Sequence, residues 1–302
     1  MSDSHPVGRS LGQASPQRRP LPFRLPPWVF LCSPLGLVLV LFLAIPILSL
    51  LRASFYEGDR SFNASGLSLE HYLRFIGDPY YLGVLLDTLG YGLATAGLCL
   101  LLGFPTGYAL ARMSPRRRRW CIIIVILPLT LSLVVVVFGW LVILGRQGLV
   151  NSILVWLGLV ERPVQLLFNA TAVVIVLAQQ FLPFMVLSVM SVVSQVDPAL
   201  EEAAASLRAN RRTTFRRVII PLALPGILSG FTLVFVLSVS AFITPRLVGG
   251  YKVQMLGSLI YEQIIVLLNW PFGAAMSVIL FVVTLTITLA TNWGLMRRAR
   301  MG

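Results

Sequence analysis

Six apolar stretches, at roughly 28–51, 82–111, 120–144, 170–194, 227–247 and 271–295, constrain this chain more than any other feature. A helix rises about 1.5 Å per residue, so about 20 apolar residues cross a ~30 Å hydrocarbon core, and each stretch is long enough. Only 12% of the residues are charged and the mean hydropathy is +0.86, too apolar for a chain that must cover its core with water-facing side chains. In lipid every backbone polar group has to be satisfied within the segment, which leaves helices or a closed barrel. Runs of this length select helices, so the expected class is an all-α integral membrane protein with six transmembrane helices. The second stretch carries Gly90, Gly92, Gly97, Gly103, Pro105 and Gly107, which a membrane helix tolerates where neighbouring helices satisfy the freed backbone.

Charge sets the expected orientation. The segments before the first span, between the second and third, between the fourth and fifth, and after the sixth hold 17 of the 24 basic residues and only four acids, Asp3, Asp197, Glu201 and Glu202. The other side has seven bases and seven acids, so the whole net charge of +13 falls on one face. By the positive-inside rule that face is cytoplasmic, and so are both termini. The high pI of about 10.8 is then a topology signal spread over short loops, and no nucleic-acid partner is expected. Residues 1–27, rich in Pro, Ser, Gly and Arg, read as a disordered basic cytoplasmic tail. The run at 28–51 is too long for the apolar part of a secretory signal and lacks an A-x-A site, so it reads as an uncleaved span. The expected organisation is a first span with an extracytoplasmic loop (28–81), a core membrane domain (82–295) and a cytoplasmic tail (296–302). Cys32, Cys99 and Cys121 lie in or beside apolar spans without metal-ligand spacing and read as inert thiols.

Between the fourth and fifth spans the chain turns polar: QVDPALEEAAASLRANRRTTFRRVIIPLALPGI. Asp197 suits a helix N-cap and Pro198 a first helical position, and Glu201 and Glu202 then sit near the positive end of the helix dipole. Ala203, Ala204 and Ala205 give a small-residue surface that another protein can approach closely. A second short helix is expected to follow, with Phe215, Val218 and Ile219 on one face, before Pro221 and Pro225 re-enter the membrane. On composition alone the stretch also suits a basic amphipathic loop on the lipid headgroups.

This stretch resembles the EAA loop of permease subunits of ATP-binding-cassette (ABC) importers. That signature is E-A-A, three residues, Gly, nine residues, then I-x-L-P. Here Glu202-Ala203-Ala204 is followed by Ala205, Ser206 and Leu207, then Arg208 at the glycine position, nine residues, and Val218-Ile219-Ile220-Pro221. The resemblance implies the type I ABC importer permease fold, with a cytoplasmic EAA coupling loop over 197–225 docking on a separate ATPase. The residues implied in coupling are Glu201, Glu202, Ala203, Ala204, Leu207, Arg208, Phe215 and Pro221. Glycine at position 208 would permit a positive φ or a close approach, which arginine adopts less readily. The departure suggests one half of a heterodimer whose partner keeps the stricter motif. GRQGLVNSILVWLGL (145–159), AFITPRLVGG (241–250) and NWPFGAAMSVIL (269–280) resemble the spermidine/putrescine-type branch. The implied assembly is a pair of ATP-binding subunits, a second permease and an extracytoplasmic solute-binding protein, in the lipid of a bacterial inner membrane.

Other classes fit less well. The only lysine, Lys252, stands in no Walker A context, so the chain carries no cofactor of its own and ATP and magnesium belong to the partner. His5 and His71 form no HExxH, and there is no GxSxG, so no enzyme is expected. An ion-coupled secondary transporter is the alternative, although the acids approaching spans, Asp87 and Glu262, sit at the outer edge. For the translocation path the candidates are Asp87, Tyr91, Trp140, Gln179, Gln180 and Glu262. The two glutamines either line a path or bond between helices. Glu262, on an outer segment over 246–270, is the candidate to meet a positively charged solute. A polyamine is the expected substrate class, with amino-acid derivatives and opines as alternatives.

Overall fold

The computed structural model describes residues 27–58 and 66–301, and all regular structure there is helical except one isolated antiparallel bridge, Tyr56 to Leu67. The disordered tail expected at 1–27 lies outside the described residues except for Pro27. The chain divides into two compact units, residues 1–49 and 50–302. The first contains most of α1 (Pro27–Ala53), whose side chains from Leu37 to Leu43 are all exposed, as suits a helix facing hydrocarbon.

The second unit holds the rest: α2 (Glu70–Gly77), α3 (Pro79–Arg112), α4 (Pro115–Thr130), α5 (Leu133–Leu144), α6 (Leu149–Trp156), α7 (Ala170–Val193), α8 (Ala199–Ser206), α9 (Arg211–Thr214), α10 (Ile220–Val239), α11 (Leu256–Tyr261) and α12 (Trp270–Met301). Among the described residues, six helical segments are long and apolar enough to cross a membrane: Gly36–Ala53, Pro79–Arg112, Leu133–Trp156, Ala170–Val193, Arg211–Val239 and Trp270–Thr291. The centre is α7, against which α3 and α10 pack. Val176, Leu177, Met185 and Val186 of α7 are fully buried there, with Ala96 and Cys99 of α3 and Val234 of α10. Small residues set the spacing. A Cβ at Gly107 would lie 2.8 Å from the Val186 carbonyl oxygen, and one at Gly226 would lie 2.9 Å from that of Ser188.

Two expected spans differ in the structure. The third, expected as one helix over 120–144, breaks between α4 and α5, where Leu131 and Ser132 are extended. Pro128 has no N–H for the last turn of α4, which weakens the helix just before the break. The fifth, expected over 227–247, ends at Val239 and begins much earlier. Helical structure runs from Arg211 through a π-helical turn (Phe215–Ile219) into α10, so the second polar helix and the fifth span form one rod. Pro221 lacks an N–H, and the wider π turn immediately before it is where the continuous helix accommodates the missing donor. Between the fifth and sixth spans, two more π turns (Pro245–Gly249 and Glu262–Val266) flank α11. The sixth helix continues to Met301, so the described part of the expected 296–302 tail is helical.

Buried polar groups fix the connections. Asn151 is almost fully buried, and its side chain donates to the carbonyls of Gly145 and Val164 (both 3.0 Å) and accepts from the Val164 N–H (2.9 Å). It thereby closes the excursion between α5 and α7. Thr88 Oγ1, also buried, accepts from the Leu256 N–H at 2.8 Å and ties the start of α11 to α3.

Candidate functional site

The polar interruption folds as its residues dictate. Asp197 Oδ1 accepts from the Ala199 N–H at 2.9 Å, capping the first turn of α8, and Glu201 and Glu202 both lie in that turn. The helix ends in a paired closure. The Arg208 N–H donates to the Ala205 carbonyl (2.9 Å) and the Ala209 N–H to the Ala204 carbonyl (3.1 Å). This is a Schellman motif, and its C′ residue, Arg208, has φ +57°. The glycine position of the signature is thus a left-handed helix stop, and arginine occupies it in the same left-handed conformation. Asn210 then caps α9, accepting from the Thr213 N–H at 2.8 Å.

Glu201 and Glu202 diverge. Glu201 turns toward the end of α3: Tyr108 Oη donates to its Oε2 at 2.7 Å, and Arg112 Nε and Nη2 both lie 2.7 Å from its Oε1. Arg112 Nη1 also donates to the Val196 carbonyl at 2.9 Å. The Arg112 and Glu201 side chains are only 19% and 25% exposed, so this ion pair, with Nε as the hydrogen-bond donor, is partly shielded from water. Phe215 enters the same corner, with its ring 5.4 Å from that of Phe104 and 5.7 Å from that of Tyr108. Glu202, Ala203, Leu207 and Arg208 are exposed, Leu207 at 84%, and so is Pro221 at the start of α10; Ala204 is half-buried. The loop therefore has an inward side fastened to α3 and an outward side that ends in an uncovered leucine. The sequence reading missed Phe104, Tyr108 and Arg112. Their signal was Tyr108 and Arg112 at i, i+4, one face of one helix, but Arg112 was counted only as a topology charge.

The candidates for a path separate into two places. Trp140 Nε1 donates to Gln179 Oε1 at 3.0 Å, and Thr244 Oγ1 donates to Gln180 Oε1 at 3.1 Å. The glutamines thus join α5, α7 and the segment after α10, which is the bonding role. They also line a small cavity of about 120 Å³ with Pro128, Leu129, Leu131 and Leu133, against the break in the third span. Asp87 is exposed and Tyr91 half-buried, one turn apart on α3, and Asp87 forms no ion pair among the described residues.

Glu262 lies at the opposite end of the spans from α8, in the connection between the fifth and sixth. Arg246 Nη1 is 3.9 Å from Glu262 Oε2, and the Arg246 guanidinium stands 5.2 Å from the centre of the Tyr261 ring. The Tyr261 ring in turn stacks on Phe242 at 5.3 Å and 15°. Tyr80 Oη donates to Gln254 Oε1 and holds the same connection to α3.

Comparison with known proteins agrees with this architecture. Residues 103–296 match the family model described as "Binding-protein-dependent transport system inner membrane component". The chain is 36% identical to the spermidine/putrescine transport system permease protein PotB of Escherichia coli K12, over 84% of this chain and 92% of that protein. It is likewise 36% identical to PotB of Haemophilus influenzae, over 80% and 84%. To the inner membrane ABC transporter permease protein YdcU of E. coli K12 it is 32% identical, over 77% and 78%. Among solved structures it resembles a chain of a bacterial alginate ABC transporter in complex with its alginate-bound periplasmic protein, with TM-score 0.68, 20% identity and coverage of 90% and 95%. A chain of the inward-facing MetNI methionine ABC transporter gives TM-score 0.54 at 18% identity, covering 73% and 94%. Six candidate spans, a fastened polar loop with the EAA spacing, and a family match over residues 103–296 converge: the chain belongs to the binding-protein-dependent transport system inner membrane component family and is a permease subunit of an ABC importer.

Proposed function

We propose that this permease carries polyamines inward, as one half of a heterodimer with both termini in the cytoplasm, and that its 197–225 loop docks on the ATPase. The substrate class rests on the PotB relatives, named for spermidine and putrescine, at 36% identity over most of both chains. The orientation rests on the placement of the +13 net charge. In this reading the exposed side of α8, carrying Glu202, Ala203, Leu207 and Arg208, meets the ATP-binding subunit. Glu201 passes the motion to α3 through Tyr108 and Arg112, and Phe215 and Pro221 belong to the rod that passes it to the fifth span. ATP and magnesium stay on the partner subunit. The path runs past Glu262, Asp87 and Tyr91 at one end and the Trp140–Gln179 and Gln180 bonds at mid-depth. A binding protein delivers the solute, which suits a path with few ionisable groups and weak retention. The heterodimer rests on arginine at the signature's glycine position.

The observation that carries the coupling reading is the divergence of the two glutamates, one fastened to α3 and one free to meet a partner. The test is uptake of radiolabelled putrescine and spermidine by cells that depend on this importer. Uptake is expected from the intact gene, and its loss with Glu202→Arg, together with loss of the ATPase on mild-detergent purification. Uptake of neither polyamine, with other small organic solutes transported, refutes the substrate class. An ATPase that stays bound to the Glu202→Arg protein refutes the docking surface.

A further inference from the structure

We propose that Glu262, Tyr261 and Phe242 form a binding site for an alkylammonium group, and that Arg246 occupies this site as a tethered cation until the solute displaces it. The inference deepens the polyamine reading and rests on it for the identity of the solute.

The geometry is that of a cation site already holding a cation. A carboxylate and the face of an aromatic ring are the two groups that attract an ammonium ion in a partly apolar setting. Both converge on Arg246, which is 3.9 Å from Glu262 Oε2 and 5.2 Å from the Tyr261 ring centre. The separation from the carboxylate exceeds a hydrogen bond, so Arg246 neutralises Glu262 without saturating its acceptor sites. Both charged side chains are more than 40% exposed, 42% for Arg246 and 44% for Glu262, so the contact can open without stranding a buried charge. The stacking of Tyr261 on Phe242 keeps the ring in place when the guanidinium leaves.

The surroundings narrow the ligand to an alkyl diamine or longer polyamine. Phe242 and Tyr261 also line a largely apolar cavity of about 510 Å³ between α10, α11 and α12, with Val239, Ile260, Ile264 and Leu280 in its wall. A carboxylate and an aromatic face beside an apolar wall accept an ammonium head and its methylene chain together. A metal cation or a sugar would find no use for the wall. Arg246 and Glu262 sit in separate π turns on either side of α11, so a change in this connection alters their separation and with it the site's occupancy.

A simple surface ion pair and a competed cation site predict opposite outcomes. If Arg246 and Glu262 only brace the connection, removing either has the same effect. If Arg246 competes with solute, its removal helps binding and removal of Glu262 harms it. The assay uses the complete transporter complex in lipid nanodiscs, without the binding protein, titrated with 1,4-diaminobutane and read by saturation-transfer NMR, with 1,4-butanediol as the uncharged control. Arg246→Gln is expected to lower the apparent Kd for the diamine about three- to tenfold, the size of one exposed cation–π contact plus one surface ion pair. Glu262→Gln and Tyr261→Leu should raise it by a similar factor, and Tyr261→Phe, which keeps the ring, should leave it unchanged. Shifts in the same direction for Arg246→Gln and Glu262→Gln, or equal shifts for diamine and diol, overturn the proposal. Uptake by the wild-type importer is measured in parallel. If it moves no polyamine, the substrate reading fails by itself, and the site is judged by the same opposite-sign criterion with butylammonium as the probe.

Discussion

Glu201→Gln is the substitution that most directly tests how the loop is joined to the spans. It keeps the size of the side chain and removes its charge. In the native loop the carboxylate accepts from Tyr108 at 2.7 Å and faces Arg112 through Nε and Nη2, both at 2.7 Å. A charged hydrogen bond contributes about 1.5–3 kcal/mol, and breaking a buried pair costs more because the other charge is left unpaired. With the two side chains 19% and 25% exposed, and Arg112 still bonded to the Val196 carbonyl, solvent and that carbonyl compensate in part. The expected loss is about 2–3 kcal/mol, which lowers the ratio of fastened to released loop by about 30- to 150-fold. Phe215 against Phe104 and Tyr108 keeps the corner together, so the fold is expected to survive.

The functional consequence separates fastening from docking. In nanodiscs containing the whole importer, Glu201→Gln should retain the ATPase subunit and its basal hydrolysis while transport per ATP falls. Arg112→Gln should do the same, and the double variant should be little worse than either, because both remove one interaction. Glu202→Arg should instead release the ATPase. If Glu201→Gln also releases it, or if the two single losses simply add in the double variant, the strut from α8 to α3 is wrong.

Further outcomes follow from single residues. Arg208→Gly should relieve a left-handed backbone that costs a non-glycine residue about 1 kcal/mol, and slow hydrogen exchange at the Ala209 amide about fivefold; faster exchange would refute the Schellman reading. Asn151→Ala should lower the stability of the complex by about 2–3 kcal/mol, read as a fall in its thermal midpoint, because three hydrogen bonds go and backbone partners are left behind. Gly107→Ala and Gly97→Ala should move that midpoint in opposite directions: a Cβ at Gly107 meets the Val186 carbonyl at 2.8 Å, whereas one at Gly97 meets nothing within 4 Å and gains about 1 kcal/mol of helix propensity.

The spans were legible because the period and length of apolar runs are local properties, and so was the cap at Asp197–Pro198. The break between α4 and α5 was not, because the leucines, proline and threonine at 127–131 keep the run apolar while Pro128 removes a helix bond. The continuity of α9 with α10 was hidden by a change of solvent: four arginines give way to apolar residues, and prolines at 221 and 225 look like interruptions. Both sit where a helix tolerates them, one just after the π turn and one with its neighbours packed on α7. The motif spacing marked the loop, yet the contact of Glu201 with Tyr108 and Arg112 joins residues about ninety positions apart, and no local pattern in one sequence encodes that. The same holds for Arg246 over Tyr261. Glu262 was identifiable as an outer acid, but its occupant was not.

The unbroken rod links the two ends of the proposed mechanism. From Arg211 to Val239 it is 29 residues, about 43 Å long. A flexible loop would absorb a displacement of a few ångströms at Arg211, whereas a continuous helix delivers it along its whole length as tilt or translation. Phe242 and Arg246 follow within a few residues of the far end, so motion at the proposed ATPase side changes where Arg246 stands relative to Glu262, which belongs to a different π turn. The strut through Glu201 gives the same displacement a second route, into α3, and Thr88 of α3 holds the start of α11, the helix that ends at Tyr261 and leads into Glu262. The two routes therefore end on the two halves of the cation site, one carrying the tethered arginine and the other the carboxylate and ring. If the rod and strut act together, Arg246→Gln should lose its effect on diamine binding once ATP has closed the ATPase pair, because the arginine would already have been withdrawn. An undiminished effect in the ATP-trapped complex would mean that the cation site and the coupling loop move independently.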